Sequence, residues 1–394
     1  MFRRLDHVRR DERGMSMVYV ALGFMAFLSA TTLAIDVGMF MTARSQAQNS
    51  ADAGALAGAT SFVFNSFTDR TPSGPVVQAA INAALANQVM YGTVSVTPAD
   101  VTFPLDPSGQ ANRVKVDVHR TAATGNPIPT LMGKLFGVNQ VDINATATGE
   151  ASPANAIRCP APFTIPDKWQ EHIDENGAAD GSWNPDSTFD MYDNHGNLLT
   201  NHDVYIPRDQ AGYTGYDVNN PNDLGLEITL KSNNGSKITA SWYNPWDLPG
   251  SVGADDYRAN ISGCDRATGP MTSAGYQMSP ENGNMTGPTA QGMQDLIDQD
   301  PTAQWNDACK CVISPKGYSP RIVPIPLYDP VAFAEGKQHG NVVTLITVGY
   351  VGFFIEPMVG GEVKGRLTRL LGDWDKNAGP APPGTFAKTI RLVQ

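Results

Sequence analysis

The chain has 394 residues, 41% apolar and 17% charged, with a mean hydropathy of −0.25. That balance excludes a multi-pass membrane protein, which is far more apolar, and a fully disordered chain, which is more charged. The formal charge is −11; an acidic body repels phosphate backbones, so no nucleic-acid partner is expected.

The charge is unevenly spread. Arg3, Arg4, Arg9, Arg10 and Arg13 crowd the first 14 residues, and no charge follows from Gly14 to Ile35. Residues 15–34 alone make a 20-residue apolar run, and a helix of that length rises about 30 Å, one hydrocarbon core. After it the only basic residue before Arg70 is Arg44. The positive-inside rule then places residues 1–14 in the cytoplasm as a basic tail, residues 15–41 across the inner membrane, and the bulk outside. The alternative is a cleaved signal peptide, but its apolar core is normally only about 7–15 residues long. A second apolar run, residues 342–355, is shorter, rich in Val, Ile, Thr and Phe, and reads as buried strand.

Past the anchor the chain is alanine-rich and lacks proline, so the helix is expected to run on to about Phe64. Ala43, Ala47, Ala51, Ala55 and Ala59 recur every fourth residue and form one slowly turning stripe. Small side chains let another backbone approach closely. Two partners suit the stripe: the protein's own sheet, or other subunits, with Gly54 and Gly58 in G-x-x-x-G spacing. Residues 75–90 read as a second helix with Val76, Ala80, Leu85 and Val89 inward. Residues 93–97, 113–120 and 140–149 alternate apolar and polar side chains, as antiparallel strands with one wet face do. A short helix is expected at residues 130–136. Together, residues 42–150 suggest a pilin-like α+β module of helix on antiparallel sheet.

Residues 151–166 are proline-rich and read as a linker, and residues 167–394 as a turn-dense, β-rich extracytoplasmic domain. Strands are expected at residues 203–206, 224–231, 237–242, 321–327, 342–355 and 385–393, and a helix at 289–299. Its four cysteines are Cys159, Cys264, Cys309 and Cys311. An even count in an oxidising compartment favours two disulfides. Because one residue separates Cys309 from Cys311, the expectation is that Cys159 and Cys264 each take one of them. A zinc site is disfavoured, since the paired C-x-x-C spacing is missing.

The run from Glu12 to Ala59 resembles the N-terminal region of the TadG-like proteins of tight-adherence (Flp) pilus assembly. The resemblance is carried by Arg13-Gly14, by Asp36-Val37-Gly38 at the outer end of the apolar run, and by the segment from Asn49 to Gly58, NSADAGALAG. Leu135-Phe136-Gly137 and the NATATG segment from Asn144 to Gly149 extend it to about residue 150. It implies an envelope protein of pilus biogenesis and adhesion, without enzymatic activity or cofactor, whose partners are other assembly proteins and the bilayer. Two features depart from the wider system. Tyr19 stands at the fifth position past Gly14, where processed pilins carry Glu. No Asp-x-Ser-x-Ser metal motif of a von Willebrand A domain is present.

Asp36 is expected either to reach water at the interface or to pair with a cation on a neighbouring helix; Asp52 has the same choice. Gly38, Ala47, Ala51, Gly54, Ala55 and Gly58 are candidate helix-packing positions. His195, His202, Asp193 and Asp203 form the densest His/Asp cluster, read as loop residues rather than a metal site. Asp174 and Asn176 begin like a calcium loop but lack later ligands. Trp242, Tyr243 and Trp246 are expected in a core, or, if exposed, on a ligand-binding surface. Glu281–Gln291 is expected to turn the chain and cap a helix near Thr289. No G-x-S-x-G, H-E-x-x-H or P-loop occurs. An anchored adhesin or binding module, and an anchored exported hydrolase, are the alternative readings of the chain.

Overall fold

The computed structural model describes residues 13–65, 69–173, 178–179, 181–232, 237–251, 253–265, 267–281, 283, 285–339, 343–358, 362–379, 381 and 384–393. Its first element is a single helix of 52 residues, α1 (Arg13–Phe64). It contains no proline, and its second half is alanine-rich, so nothing breaks the backbone ladder. Residues 14–31 are exposed all round, whereas burial on one face starts at Thr32 and becomes regular from Ala43 onward. The two halves of one helix therefore have different surroundings.

The second half is the spine of an α+β module. Helix α2 (Pro75–Leu85) begins with Pro75 at its first position and buries Val76, Val77, Ala80, Ile81 and Ala84. Leu85, expected inward, is 37% exposed, because the helix ends there rather than at residue 90. The chain turns at Met90 and Tyr91, both in the left-handed region, and Gln88–Val89 pairs with Gly92–Thr93. Strands β1 (Val101–Thr102), β2 (Arg113–Arg120) and β3 (Ile143–Pro153) follow. In β2, Val114, Val116 and Val118 face α1, and in β3 so do Ile143, Ala145 and Ala147. Residues 140–149 are not one strand: Gln140–Val141 pairs with Ile128–Pro129, and Asp142 turns away to accept the Ala122 N–H at 2.8 Å.

Residues 152–166, expected as connecting chain, are built into sheets. They hold the end of β3, a short strand at Ala156–Arg158, and β4 (Phe163–Pro166), which is buried along its whole length. The following region is β-rich. It contains β5 (Glu227–Ser232), β6 (Trp242–Asp247), α3 (Gly253–Ser262), β7 (Gln277–Pro280), α4 (Thr286–Gln299), β8 (Ile322–Tyr328), α5 (Pro330–Gln338), β9 (Leu345–Ile355), β10 (Val363–Thr368), β11 (Leu370–Leu371) and β12 (Ala387–Val393). Seven strands lie in the order β5-β10-β9-β7-β6-β4-β8. Because β8 also pairs with β9, and β5 with β6, the sheet closes into a barrel-like arrangement. Closure removes exposed edges. Its core includes Phe163, Ile165, Ile325, Val351, Phe353 and Phe354.

The last strand does not stay in this region. β12 runs antiparallel to β3 from Lys388↔Pro153 to Val393↔Thr148, giving the first sheet the order β11-β12-β3-β2-β1. Residues 203–206 contribute only a bridge from Val204 to Gln170. The strand expected at residues 237–242 begins instead at Trp242. Val342 lies outside the described residues. α3 and α5 were not anticipated.

The tightest crossing in the module is between α1 and β3 at Gly149. A Cβ there would lie 2.8 Å from the Ala55 carbonyl carbon and 3.1 Å from the Ala59 Cβ. The obstacle is backbone, which cannot rotate aside. Gly149→Ala is expected to cost about 1–3 kcal/mol through overpacking. A shifted urea midpoint of the full chain in detergent checks this; a midpoint equal to wild type would mean the helix can lift off the sheet.

Candidate interaction surface of the anchor helix

The alanine stripe is covered by the protein itself. Ala47 is 1% exposed, and Ala43, Ala51, Ala55 and Ala59 are fully buried, against α2, β2 and β3. Gly54 and Gly58 serve the same packing: a Cβ at Gly54 would sit 3.0 Å from the Ala80 carbonyl oxygen, and one at Gly58 2.8 Å from Val114 Cγ1. Polar side chains flank the stripe. Ser50 donates to the Ala84 carbonyl at 2.8 Å, Gln46 accepts the Met90 N–H at 2.8 Å, and Gln48 donates to Thr146 O and to Asp52. Asp52 is half-buried and held by Gln48 rather than by a cation. Within this chain, the small residues bring a helix onto its own sheet. Gly38 faces open space and is exposed.

Asp36 answers to neither expectation. It is only 5% exposed and pairs with no cation. Its carboxylate accepts the backbone N–H groups of Leu131 at 3.1 Å, Met132 at 3.2 Å and Gly133 at 2.6 Å. Those groups open a one-turn 3₁₀ helix, Gly133–Phe136, within the short helix expected at residues 130–136. The first N–H groups of any helical turn lack internal partners, and a carboxylate satisfies them well. This clamp joins the C-terminal end of the apolar run to a loop some 95 residues away. Sequence reading marked Asp36 and the LFG motif separately, but nothing local shows that one caps the other. Asp36→Ala is expected to lower stability by about 2–3 kcal/mol, since three donors lose a charged acceptor. It is also expected to make residues 131–138 more sensitive to protease, and unchanged digestion would contradict the clamp.

The disulfides correct the sequence-based pairing. Cys159 is bonded to Cys264, with Cα atoms 5.8 Å apart, and Cys309 to Cys311, at 5.2 Å. The one-residue gap is bridged because Lys310 adopts a left-handed conformation (φ 47°), which turns both neighbours to the same side. Cys159 follows the strand at Ala156–Arg158, Cys264 follows α3, and the Cys159 N–H donates to Pro270 O.

The remaining candidates have structural roles. Trp246 is fully buried and donates its indole N–H to Ala161 O at 2.9 Å, and Tyr243 is 2% exposed, so both lie in the core, while Trp242 is half-buried. Asp193 accepts the N–H groups of His195 and Asn197, and Asp203 accepts those of His172 and Asp190; both carboxylates staple loops. Among the described residues no group of His, Cys, Asp and Glu is arranged to hold a metal ion. Asp174 and Asn176 lie outside the described residues. Thr289 is not a cap: α4 starts at Thr286, and Thr289 donates to Met285 O from within the first turn. Asp167 is a buried carboxylate whose pKa burial pushes up against the pull of Arg208. It accepts from the hydroxyls of Tyr205 and Tyr213 and the N–H of Tyr216, a closed knot inside the barrel region.

The arrangement defines a class: an α+β protein with, among the described residues, one helix long and apolar enough to cross a membrane, whose C-terminal continuation is the core of its own folded module. Residues 14–61 match the family described as putative Flp pilus-assembly TadE/G-like. That segment is α1 almost entire. No curated protein and no solved structure matches the chain.

Proposed function

We propose that this chain is a non-enzymatic, membrane-anchored component of Flp/Tad-type pilus assembly. The supporting observation is a coincidence of sequence and structure. The family match at residues 14–61 falls on α1, which is exposed all round over residues 14–31 and fixed in the folded body from Ala43 onward. As a helix, the uncharged stretch of residues 14–35 rises about 33 Å, enough to cross a bilayer. The arginines ahead of it hold the N-terminus in the cytoplasm of a single-pass inner-membrane protein, and the barrel-like region is displayed outside, where its disulfides form.

Because the alanine stripe is occupied, association with other assembly proteins falls to the open side of α1. Gly38 and Ser45, both exposed, mark that side. The test is photo-crosslinking in cells from a benzoylphenylalanine placed at position 38 or 45, with a probe at the buried Ala51 as the control. An adduct with another pilus-assembly protein is expected from the two open positions and not from Ala51. No adduct from either, or a body digested only after the cytoplasm is opened, would overturn the reading.

A further inference from the structure

The segment that Asp36 holds is apolar where loops are usually polar. Leu131, Leu135, Phe136 and Val138 are 63%, 77%, 62% and 48% exposed, with Met132 beside them. The loop is rigidly built. It stands on the pairs Ile128↔Val141 and Pro129↔Gln140 and is closed above them by the Thr130 N–H donating to Asn139 O. The Thr130 hydroxyl donates to Val138 O at 2.6 Å, the Val138 N–H to Gly133 O, and Gly137 supplies the left-handed turn (φ 83°). A preformed cluster of exposed apolar side chains calls for an apolar counterpart.

The clamp says which counterpart. Asp36 lies two residues beyond Ala34, so its carboxylate sits about 3 Å above the end of the 20-residue apolar span. The loop tip is tied to that level. Leu33, Ile35 and Val37 of α1 are exposed at the same height, so the greasy surface of the helix runs on into the tip. A bare carboxylate at this depth would be costly; capped by three N–H groups, it is satisfied without water. Lys134, between Gly133 and Leu135, supplies a cation on a long stem, of the kind that reaches lipid phosphates from an apolar surface.

We propose that residues 131–138 form a wedge that enters the outer leaflet beside α1, giving the protein a second hold on the bilayer and fixing the tilt of its body. The occupant of the apolar tip is lipid. This rests on the reading of α1 as a membrane span, and the test separates the two. The full-length protein, its native disulfides intact, is reconstituted in phosphatidylcholine–phosphatidylglycerol vesicles with one NBD-labelled cysteine at a time: Phe136→Cys, Val20→Cys within the apolar span, and Leu198→Cys on the distant, exposed body. Lipids spin-labelled near the headgroup or deep in the chain serve as quenchers.

The expected result is blue-shifted emission at position 136 that is lost preferentially to the shallow quencher. Position 20 should be lost to the deep quencher, and position 198 should behave as in water. Asp36→Ala should weaken the quenching at position 136 while leaving position 20 unchanged; undiminished quenching would refute the clamp as the positioning device. A watery probe at position 136 with a quenched one at position 20 overturns the wedge and spares the anchor. A probe at 136 shielded from aqueous iodide yet untouched by labelled lipid means a protein covers the tip, which also overturns the proposal. Failure at both positions 20 and 136 overturns the anchor as well.

Discussion

Arg321→Met is expected to cost about 3–5 kcal/mol, because it strips a buried cation from carbonyls that have no water to replace it. Arg321 is fully buried. Its guanidinium donates to Ile355 O from Nε at 2.9 Å, and from Nη1 to Asp300 O at 3.1 Å and Ala303 O at 3.0 Å. It also lies over the Phe354 ring, 4.8 Å from the centroid. One planar fork thus ties the C-terminal end of α4 to the start of β8 and the end of β9. A helix C-terminus favours a cation, and here the C-cap carbonyl of Asp300 receives one. Lysine cannot span both sides, so Arg321→Lys should recover little of the loss. The urea midpoint of the full chain in detergent reports it. A methionine variant within about 1 kcal/mol of wild type would show that the carbonyls find other donors.

Removing the Cys159–Cys264 bond by the paired change to serine is expected to cost about 4–5 kcal/mol, the loop-closure entropy of a ring of roughly 100 residues. The bond closes a separation of 105 residues and holds the strand at Ala156–Arg158 against the end of α3. Cys309 and Cys311 close a separation of 2. The same relation assigns their bond about 1–2 kcal/mol, roughly a third of that effect, since ring size enters only through its logarithm. The two serine double variants, compared by denaturation with and without reductant, separate the contributions. Equal losses from both would refute the entropic account.

The long helix was legible because its signals are local and repeated. Twenty uncharged residues, an absence of proline and alanine at every fourth position each point the same way. The alternating strands β2 and β3 were legible for the same reason. What covers the alanine stripe was not, because a pattern of small residues says that something comes close without saying what. The cap on Asp36 was hidden by distance along the chain: its donors are backbone groups of residues 131–133, which carry no side-chain signature. The Cys309–Cys311 bond was misjudged because its feasibility turns on one backbone angle at Lys310. The start of α5 does carry a local signal. Asp329-Pro330 is a helix start, and Asp329 does accept the N–H groups of Val331 and Ala332.

The return of β12 to the first sheet sets an order on biosynthesis. β3 leaves the ribosome long before its neighbour does, since 233 residues separate Pro153 from Ala387. At ordinary translation speeds that is a wait of roughly 10–50 s. Throughout it the flank of β3 that β12 will occupy is bare, and a bare flank is a template for whatever strand arrives first. Nascent copies emerging side by side at one translocation site would therefore be prone to swap their final strands, and a polypeptide ending short of residue 387 would stay adhesive along that flank.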